Sequence, residues 1–267
     1  MHTQPNPSPA PDSYTGTAAN NLLIDYNALA EKVGVLAEQY RQNLPFPHII
    51  IDDLLPASTI ARLLQEYPDD QNLPIWNDAT HKDRQTGEYV QKDKRNIRDV
   101  LRMPSTYRQL IWELNSQDFL IFLSKLTGIN HLIPDPSLRG AGIHQIGRGG
   151  FLKVHADFAT HRDFGLERRL NILIYLNPDW PESYGGHLEL WDAEMQGPPK
   201  RALPILNRCV IFSTTATSYH GHPRPLTCPE GIFRKSLALY YYTNGRPAGE
   251  AEPGFATLWQ DVPEAYR

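Results

Sequence analysis

The sequence has little cysteine, no long apolar run and no large excess of charge, and each shortage excludes a class of protein. Two cysteines among 267 residues cannot form a disulfide framework or a four-cysteine zinc site. No stretch approaches the ~18 uncharged apolar residues of a membrane-spanning helix. A net charge of −4 gives no electrostatic reason to expect nucleic acid as a partner. Any metal must therefore be bound by carboxylates and by some of the ten histidines.

The two ends of the chain differ in composition. Residues 1–20 are rich in proline and small polar residues, which predicts a disordered tail. They lack the basic start and apolar run of a signal peptide, so we expect a cytoplasmic protein. Residues 21–267 are expected to form a single domain, because 40% of the chain is hydrophobic and can supply a core. Within it, residues 21–137 are mainly helical in pattern and residues 138–245 are strand-rich.

The helical part contains one long polar segment. Apolar residues recur every three or four positions over 22–40, 56–67 and 107–126, which predicts helices, and residues 48–51 are typical of a strand. Residues 69–96 are polar and lack a period, which predicts a long loop or lid. Its cations could bind an anionic group, although charged loops more commonly face water. These cations are Arg84, Lys92, Lys94 and Arg95.

The strand-rich part consists of short apolar runs separated by glycine and proline turns. The runs lie at 141–146, 151–154, 170–176, 187–191, 209–212 and 236–242. Several short strands with such turns are typical of a sandwich, jelly roll or barrel. We therefore predict an α+β fold in which helices pack on one side of a β-sandwich.

Without a thiolate, the useful metal-site template is two histidines and one carboxylate, which suits iron(II) because coordination positions stay open for other ligands. Alternate residues of a strand share a face, so His-x-Asp is the local signature. It occurs at His81 and Asp83, at His155 and Asp157, and at His161 and Asp163. The first lies in a polar segment and the third in a charged one, where a solvated loop and a surface turn are expected. His155 and Asp157 directly follow an apolar strand and are the preferred pair.

The remaining ligand must come from a distant strand. His187, His220 and His222 all lie in or near predicted strands, and spacing alone does not choose among them. Downstream, Arg234 and Ser236 alternate onto one strand face. A guanidinium with a hydroxyl two residues away can bind a carboxylate.

Taken in order, these segments resemble the strands of the iron(II)/2-oxoglutarate dioxygenases, and most of all their prolyl 4-hydroxylase-like branch. The similar segments are FLKVHAD (151–157), LNILIYLNPDW (170–180), GGHLELW (185–191), SYHGHP (218–223) and RKS (234–236), preceded by PFPHIIIDD (45–53). The resemblance covers about residues 140–245. It implies a double-stranded β-helix, which is a jelly roll with helices supporting one sheet, and it makes residues 21–267 a single oxygenase domain.

The resemblance also implies roles for individual residues. His155, Asp157 and His220 correspond to the iron ligands, with His222 as the alternative to His220. The cosubstrate 2-oxoglutarate is expected to contact the residues Arg234, Ser236, Tyr175, Asn171 and Gln145. Related halogenases have a small residue in place of the carboxylate ligand, so Asp157 implies a hydroxylase that uses Fe(II), 2-oxoglutarate and O2.

The substrate is less defined than the chemistry. The chain shows no appended peptide-binding domain, so we expect a small molecule such as an amino acid or natural product rather than a protein substrate of prolyl hydroxylase type. A non-catalytic jelly-roll binding module would give no reason for Arg234, Ser236 and Tyr175 to accompany the histidines. A cupin-like metalloenzyme would need a further ligand, for which His187 and Glu189 are the candidates. We expect no nucleic-acid or membrane partner, and the sequence does not define the oligomeric state.

Overall fold

The computed structural model describes residues 21–68, 75–247, 250 and 254–266. Its helices are α1 (Tyr26–Gln42), α2 (Ala57–Gln65), α3 (Ser105–Leu114) and α4 (Gln117–Thr127). Its strands are β1 (His48–Ile51), β2 (Asn77–Asp78), β3 (His81–Lys82), β4 (Tyr89–Ile97), β5 (Ile133–Pro134), β6 (Gly142–Ala156), β7 (Glu167–Tyr175), β8 (Leu188–Trp191), β9 (Lys200–Ala202), β10 (Cys209–Ser213), β11 (Tyr219–His222), β12 (Arg234–Thr243) and β13 (Leu258–Gln260). The α+β prediction is confirmed, while the predicted tail, residues 1–20, lies outside the described residues.

The helices lie where the periodic apolar residues predict them, except that the segment 107–126 forms two helices instead of one. Ser116 accounts for the break, because its hydroxyl accepts a hydrogen bond from the Phe119 backbone N–H and caps α4. Gly128 ends α4 with a φ of 77°, a left-handed conformation that favours glycine. None of the helices in the described ranges has the length and apolar character needed to cross a membrane.

The strands form the predicted jelly roll. They pair antiparallel in the order β1-β10-β7-β12-β6-β11-β8-β9, and β6 takes part in both halves of this order. Its first residues pair with β12 and β4, whereas its last residues pair with β11 and β13. The two halves face each other, and this arrangement is the double-stranded β-helix.

Side-chain alternation on β7 shows how the sheet divides core from cavity. Ile172 and Ile174 are fully buried in the main hydrophobic core, which they share with α3 and α4. Asn171 and Leu173 point the opposite way and line a cavity between the two sheets. The helices thus cover the outer face of the sheet, and the inner face is free to carry functional groups.

The prediction of a long loop over 69–96 is wrong for most of that segment. Residues 69–74 lie outside the described residues, but β2, β3 and β4 follow, and β4 pairs with β6 from Gln91 to Ile97. Only Val90 and Ile97 of β4 are buried. Because one face of this strand meets solvent and the other meets a polar cavity, it lacks the apolar alternation that marks an ordinary strand.

The predicted strands 141–146 and 151–154 are one continuous strand, β6, of 15 residues. Glycines allow it to pass from one sheet to the other. Gly149 has a φ of 76°, and a methyl group on Gly150 would lie 2.9 Å from the Lys92 carbonyl oxygen. The glycine run that looks like a turn in sequence is therefore a bend within a strand.

Candidate metal centre and cosubstrate pocket

A cavity of about 220 Å³ lies between the two sheets and contains the predicted metal ligands. His155 is near the end of β6, and Asp157 follows directly after that strand. On β11, His220 is the cross-strand partner of His155. Each of the three side chains offers a ligand atom within 4.8 Å of the others. The structure thus brings together His155, Asp157 and His220 from two neighbouring strands.

The hydrogen bonds of the two histidines suit metal binding. His155 Nδ1 donates to the Lys153 carbonyl and His220 Nδ1 donates to the Ser218 carbonyl, each at 2.9 Å. These bonds leave the Nε2 lone pairs free as ligands. His155 Nε2 lies 3.6 Å from Asp157 Oδ1, and His220 Nε2 lies 3.3 Å from Asp157 Oδ2. Adjacent ligands of an octahedral ion with bonds of about 2.1 Å lie ~3 Å apart, so the three groups fit a metal.

The Asp157 carboxylate is held by two donors on one oxygen. Asn171 Nδ2 donates to Oδ2 at 2.7 Å, and Arg168 Nη2 lies 3.0 Å from the same atom. Burial would raise the pKa of Asp157, but the charge of Arg168, followed by the effects of His220 and His155, holds that pKa well below its usual value. The carboxyl group of Asp157 is therefore deprotonated, as a carboxylate ligand of a metal must be.

Arg168 is a residue of the site that the sequence did not indicate, because its charged surroundings predicted a surface turn. It is instead buried, with its guanidinium 3.5 Å from the ring centre of Tyr240. It shares the cavity face with Asn171, although strand residues three apart normally face opposite ways. The register between β7 and β12 shifts at Tyr241 and Tyr242, which reverses the alternation.

Arg234 and Ser236, the predicted carboxylate clamp, line the same cavity. Arg234 donates through Nε to the Gly186 carbonyl at 2.7 Å and through Nη2 to the Tyr175 hydroxyl at 3.2 Å. Gly186 is needed here, because a methyl group on it would lie 3.0 Å from Arg234 Cδ. Tyr175 is fully buried and contacts the guanidinium, so it supports Arg234.

Two residues predicted to contact the cosubstrate bind other side chains of the protein. Asn171 lines the cavity, but its amide binds Asp157 and Arg168. Gln145 lies on the opposite face of β6, where its Oε1 accepts a hydrogen bond from Tyr67. His144, one residue earlier, faces the cavity instead. Strict alternation along β6 would place Gln145 and His155, ten residues apart, on the same face. The glycine bend between them reverses the alternation, so Gln145 does not face the cavity.

The structure brings His220, and not His222, to Asp157. His222 is the next residue on the same face of β11 and lies opposite Leu152. It is buried, and among the residues that the structure describes neither of its ring nitrogens has a hydrogen-bond partner. Burial, followed by the charges of Arg234 and Lys94, holds its pKa well below the usual value. His222 therefore lies towards the arginine end of the cavity.

The other His-x-Asp pairs are remote from the cavity. His81 is exposed on β3, in a strand instead of the expected loop. His161 is buried, against the expectation of a surface turn, and its Nε2 lies 3.1 Å from Ser137 Oγ and 3.5 Å from Asp135. It ties the segment after β6 to the segment after β5.

Comparison with known proteins finds a family model that matches the segment containing this site. The profile of the 2OG-Fe(II) oxygenase superfamily matches residues 141–242, which include all three candidate ligands and Arg234. The chain is 29% identical over 143 residues to the prolyl 3-hydroxylase OGFOD1 of Mus musculus, a match that covers 52% of this chain and 23% of that protein. The chain thus spans less than a quarter of the length of that curated relative.

Two solved structures share the fold. A prolyl hydroxylase from Trichoplax adhaerens, in complex with a hypoxia inducible factor oxygen degradation domain peptide, has 16% identity and a TM-score of 0.56 over 81% of this chain and 91% of its own. SnoN, a non-heme alpha ketoglutarate dependent epimerase from nogalamycin biosynthesis, has 15% identity and a TM-score of 0.50 over 89% and 98%.

The fold and the three candidate ligands agree with the family model, which describes 2OG-Fe(II) oxygenases. Residues 141–242 match the 2OG-Fe(II) oxygenase superfamily, and the similarity to the prolyl 3-hydroxylase OGFOD1 supports the predicted likeness to prolyl hydroxylases. The predicted resemblance to this family is confirmed over that segment; the family implies Fe(II), 2-oxoglutarate and O2, and the cluster of His155, Asp157 and His220 fits a metal ion.

Proposed function

We propose that this protein is an Fe(II)- and 2-oxoglutarate-dependent hydroxylase of a small molecule such as an amino acid or natural product. One observation carries the proposal: the cluster of His155, Asp157 and His220 shares a small cavity with the buried cation Arg234. The cluster supplies the ligand set for iron(II), and Arg234 supplies a partner for a carboxylate.

In this proposal each residue of the chain has a distinct task. His155, Asp157 and His220 hold the iron, which when bound activates O2 for substrate oxidation coupled to decarboxylation of 2-oxoglutarate. Arg234 pairs with the distal carboxylate of 2-oxoglutarate, with Ser236 beside it. Tyr175 orients Arg234 through its hydroxyl. Asn171 and Arg168 orient Asp157, and are positioning residues rather than cosubstrate ligands.

The edge of β6 next to the metal ligands supports a small substrate. β13 pairs with β6 there, and Trp259 is the cross-strand partner of His155. The Trp259 ring lies 5.0 Å from the His155 ring and lines the cavity. Because this edge is already paired, an extended peptide cannot add to it as a further strand. A compact molecule that enters the cavity does not need that edge.

A peptidyl prolyl hydroxylase is the second candidate. It is favoured by the 29% identity to the prolyl 3-hydroxylase OGFOD1. A peptide that crosses the cavity mouth without strand pairing would satisfy it. The two candidates use the same metal site and differ only in what reaches it.

Substrate-dependent release of succinate distinguishes them. Purified protein is supplied with Fe(II), 2-oxoglutarate and O2, and is offered free amino acids and metabolites in one panel and proline-containing peptides in another. We expect stimulation by a member of the first panel and none in the His155→Ala variant. Stimulation by peptides alone would refute the small-molecule proposal and support the prolyl hydroxylase.

A further inference from the structure

The cavity contains a second cation, Lys94, which reaches it from β4. Lys94 lies opposite Ile146 of β6, and Ile146 lies opposite Arg234 on its other side. The two cations therefore flank one residue across three neighbouring strands, and both line the cavity. Lys92, two residues earlier on β4, is not among the residues that line the cavity, and its Nζ lies 4.0 Å from Asp93 Oδ2.

Lys94 lacks a counter-charge among the residues that the structure describes. Its Nζ donates to Gln91 Oε1 at 3.4 Å, and no carboxylate in the described ranges lies within ion-pair distance of it. Burial and then the charge of Arg234 lower the pKa of Lys94 to about 8, against the opposing effect of Asp157. Asp157 is already engaged by Arg168 and Asn171.

Neutral groups around Lys94 are also left without partners. Within the described part of the chain, neither ring nitrogen of His222 has a hydrogen bond, and Nε2 of His144 has none. Both side chains line the cavity, at 3% and 5% exposure. Buried polar atoms are normally hydrogen-bonded, so several orphans facing one space indicate that a polar ligand fills it.

The charges of the proposed cosubstrate do not account for Lys94. On the proposed function, 2-oxoglutarate directs one carboxylate to the metal and the other to Arg234. No charge of 2-oxoglutarate then remains for Lys94, whose half-buried ammonium would line the loaded cavity without a counter-charge. The loaded cavity is therefore complementary to one further anion.

We propose that Lys94, with His222 and His144 beside it, binds a carboxylate of the primary substrate, so that the substrate class is small carboxylic acids. This inference rests on the proposed function, because the substrate is taken to enter the cavity together with 2-oxoglutarate. Lys94 is then a specificity-determining residue that separates an acid from its neutral amide.

The first measurement asks whether Lys94 belongs to the cosubstrate instead. Anaerobic titration of 2-oxoglutarate into Fe(II)-loaded protein is followed through the visible charge-transfer band of the chelate. We expect Lys94→Met to change the dissociation constant by less than about twofold, because its partner is another anion. A weakening of roughly tenfold or more would overturn the inference and assign Lys94 to 2-oxoglutarate. Absence of the band in wild type would instead refute the proposed function.

The second measurement detects the anion directly. Protein loaded with Zn(II) as a diamagnetic substitute is examined by saturation-transfer NMR in an equimolar mixture of acetate and acetamide, with and without saturating 2-oxoglutarate. We expect a stronger acetate signal in wild type, in Lys94→Arg and in the control Lys92→Met, and a loss of about fivefold in Lys94→Met. Equal acetate signals in wild type and Lys94→Met, or no preference for acetate in wild type, would overturn the inference.

Discussion

The two ends of the cavity differ in how far the protein itself satisfies their polar groups. At the metal end, each histidine donates to a backbone carbonyl, and Asp157 is bound by Asn171 and Arg168. At the other end, beyond Arg234, both ring nitrogens of His222 and Nε2 of His144 have no hydrogen-bond partner among the described residues, and Lys94 donates to Gln91 without a counter-charge there.

The metal end is therefore preorganised, whereas the polar groups at the other end need a ligand to complete their hydrogen bonds. Ligands fixed before the metal arrives lose little freedom when it binds, so the metal end is built for affinity. Groups left unpaired discriminate between compounds, because the wrong compound leaves a buried polar atom or charge unsatisfied. We therefore expect substitutions at the metal end to lower turnover of every substrate. Substitutions at the other end should instead change which compounds the protein binds.

The largest effect is expected at the metal end. His155→Ala removes a ligand that no neighbour replaces, so succinate release should fall by at least about a thousandfold. The anaerobic chelate band should disappear with it. His81→Ala is the matched control, because His81 is exposed on β3 and remote from the cavity. If His155→Ala kept the band, the ligand assignment would be wrong.

The next effect concerns the boundary between the two ends. Arg234→Met removes the buried guanidinium while Fe(II) binding persists, and the dissociation constant of 2-oxoglutarate should rise by roughly a hundredfold, as for a lost charge-assisted pair. Arg148→Met is the control, since Arg148 is largely exposed and lies near Glu230. Equal affinity in the Arg234 variant and the control would contradict the clamp.

A smaller effect tests preorganisation itself. Arg168→Met leaves the three ligands in place but removes the charge that stabilises the Asp157 anion, so metal affinity should fall by about 10- to 100-fold. The exposed neighbour Arg162, changed to Met, should bind metal like wild type. Calorimetric titration with Mn(II) measures both. An unchanged affinity in Arg168→Met would show that the metal end does not depend on its support.

The smallest effect distinguishes the two faces of β6. His144→Ala should lower the acetate signal of the saturation-transfer measurement by about fivefold at most, the value of one hydrogen bond, and Gln145→Ala by less than about twofold. The same mixture of acetate and acetamide measures both variants. A larger loss in Gln145→Ala than in His144→Ala would show that Gln145, and not His144, faces the cavity.

Much of the site could be predicted from sequence, because its chemistry is local to strands. His155 and Asp157 follow an apolar run, and Arg234 begins another. The alternation of side chains along each predicted strand therefore indicates which face each of these residues lies on. Arg168 could not be found this way. It reaches the cavity through a register shift between β7 and β12, which depends on a strand more than sixty residues away.

The same limit applies to β4 and β6. A strand between solvent and a polar cavity has the composition of a loop, so β4 and its Lys94 could not be recognised as part of the sheet. The sequence of β6, a strand that bends at glycines, predicts two strands joined by a turn. In both cases, tertiary pairing determines the structure and local pattern does not.

The bend in β6 also sets the spacing inside the cavity. His144 stands at one end and His155 at the other on a single strand, so the separation between the metal and the anion-binding groups depends on the number of residues between them. Deleting one glycine from residues 147–150 would reverse the faces of the strand on one side of the deletion relative to the other. Such a deletion would turn either the metal ligands or His144 out of the cavity, while the composition of the chain stayed almost the same.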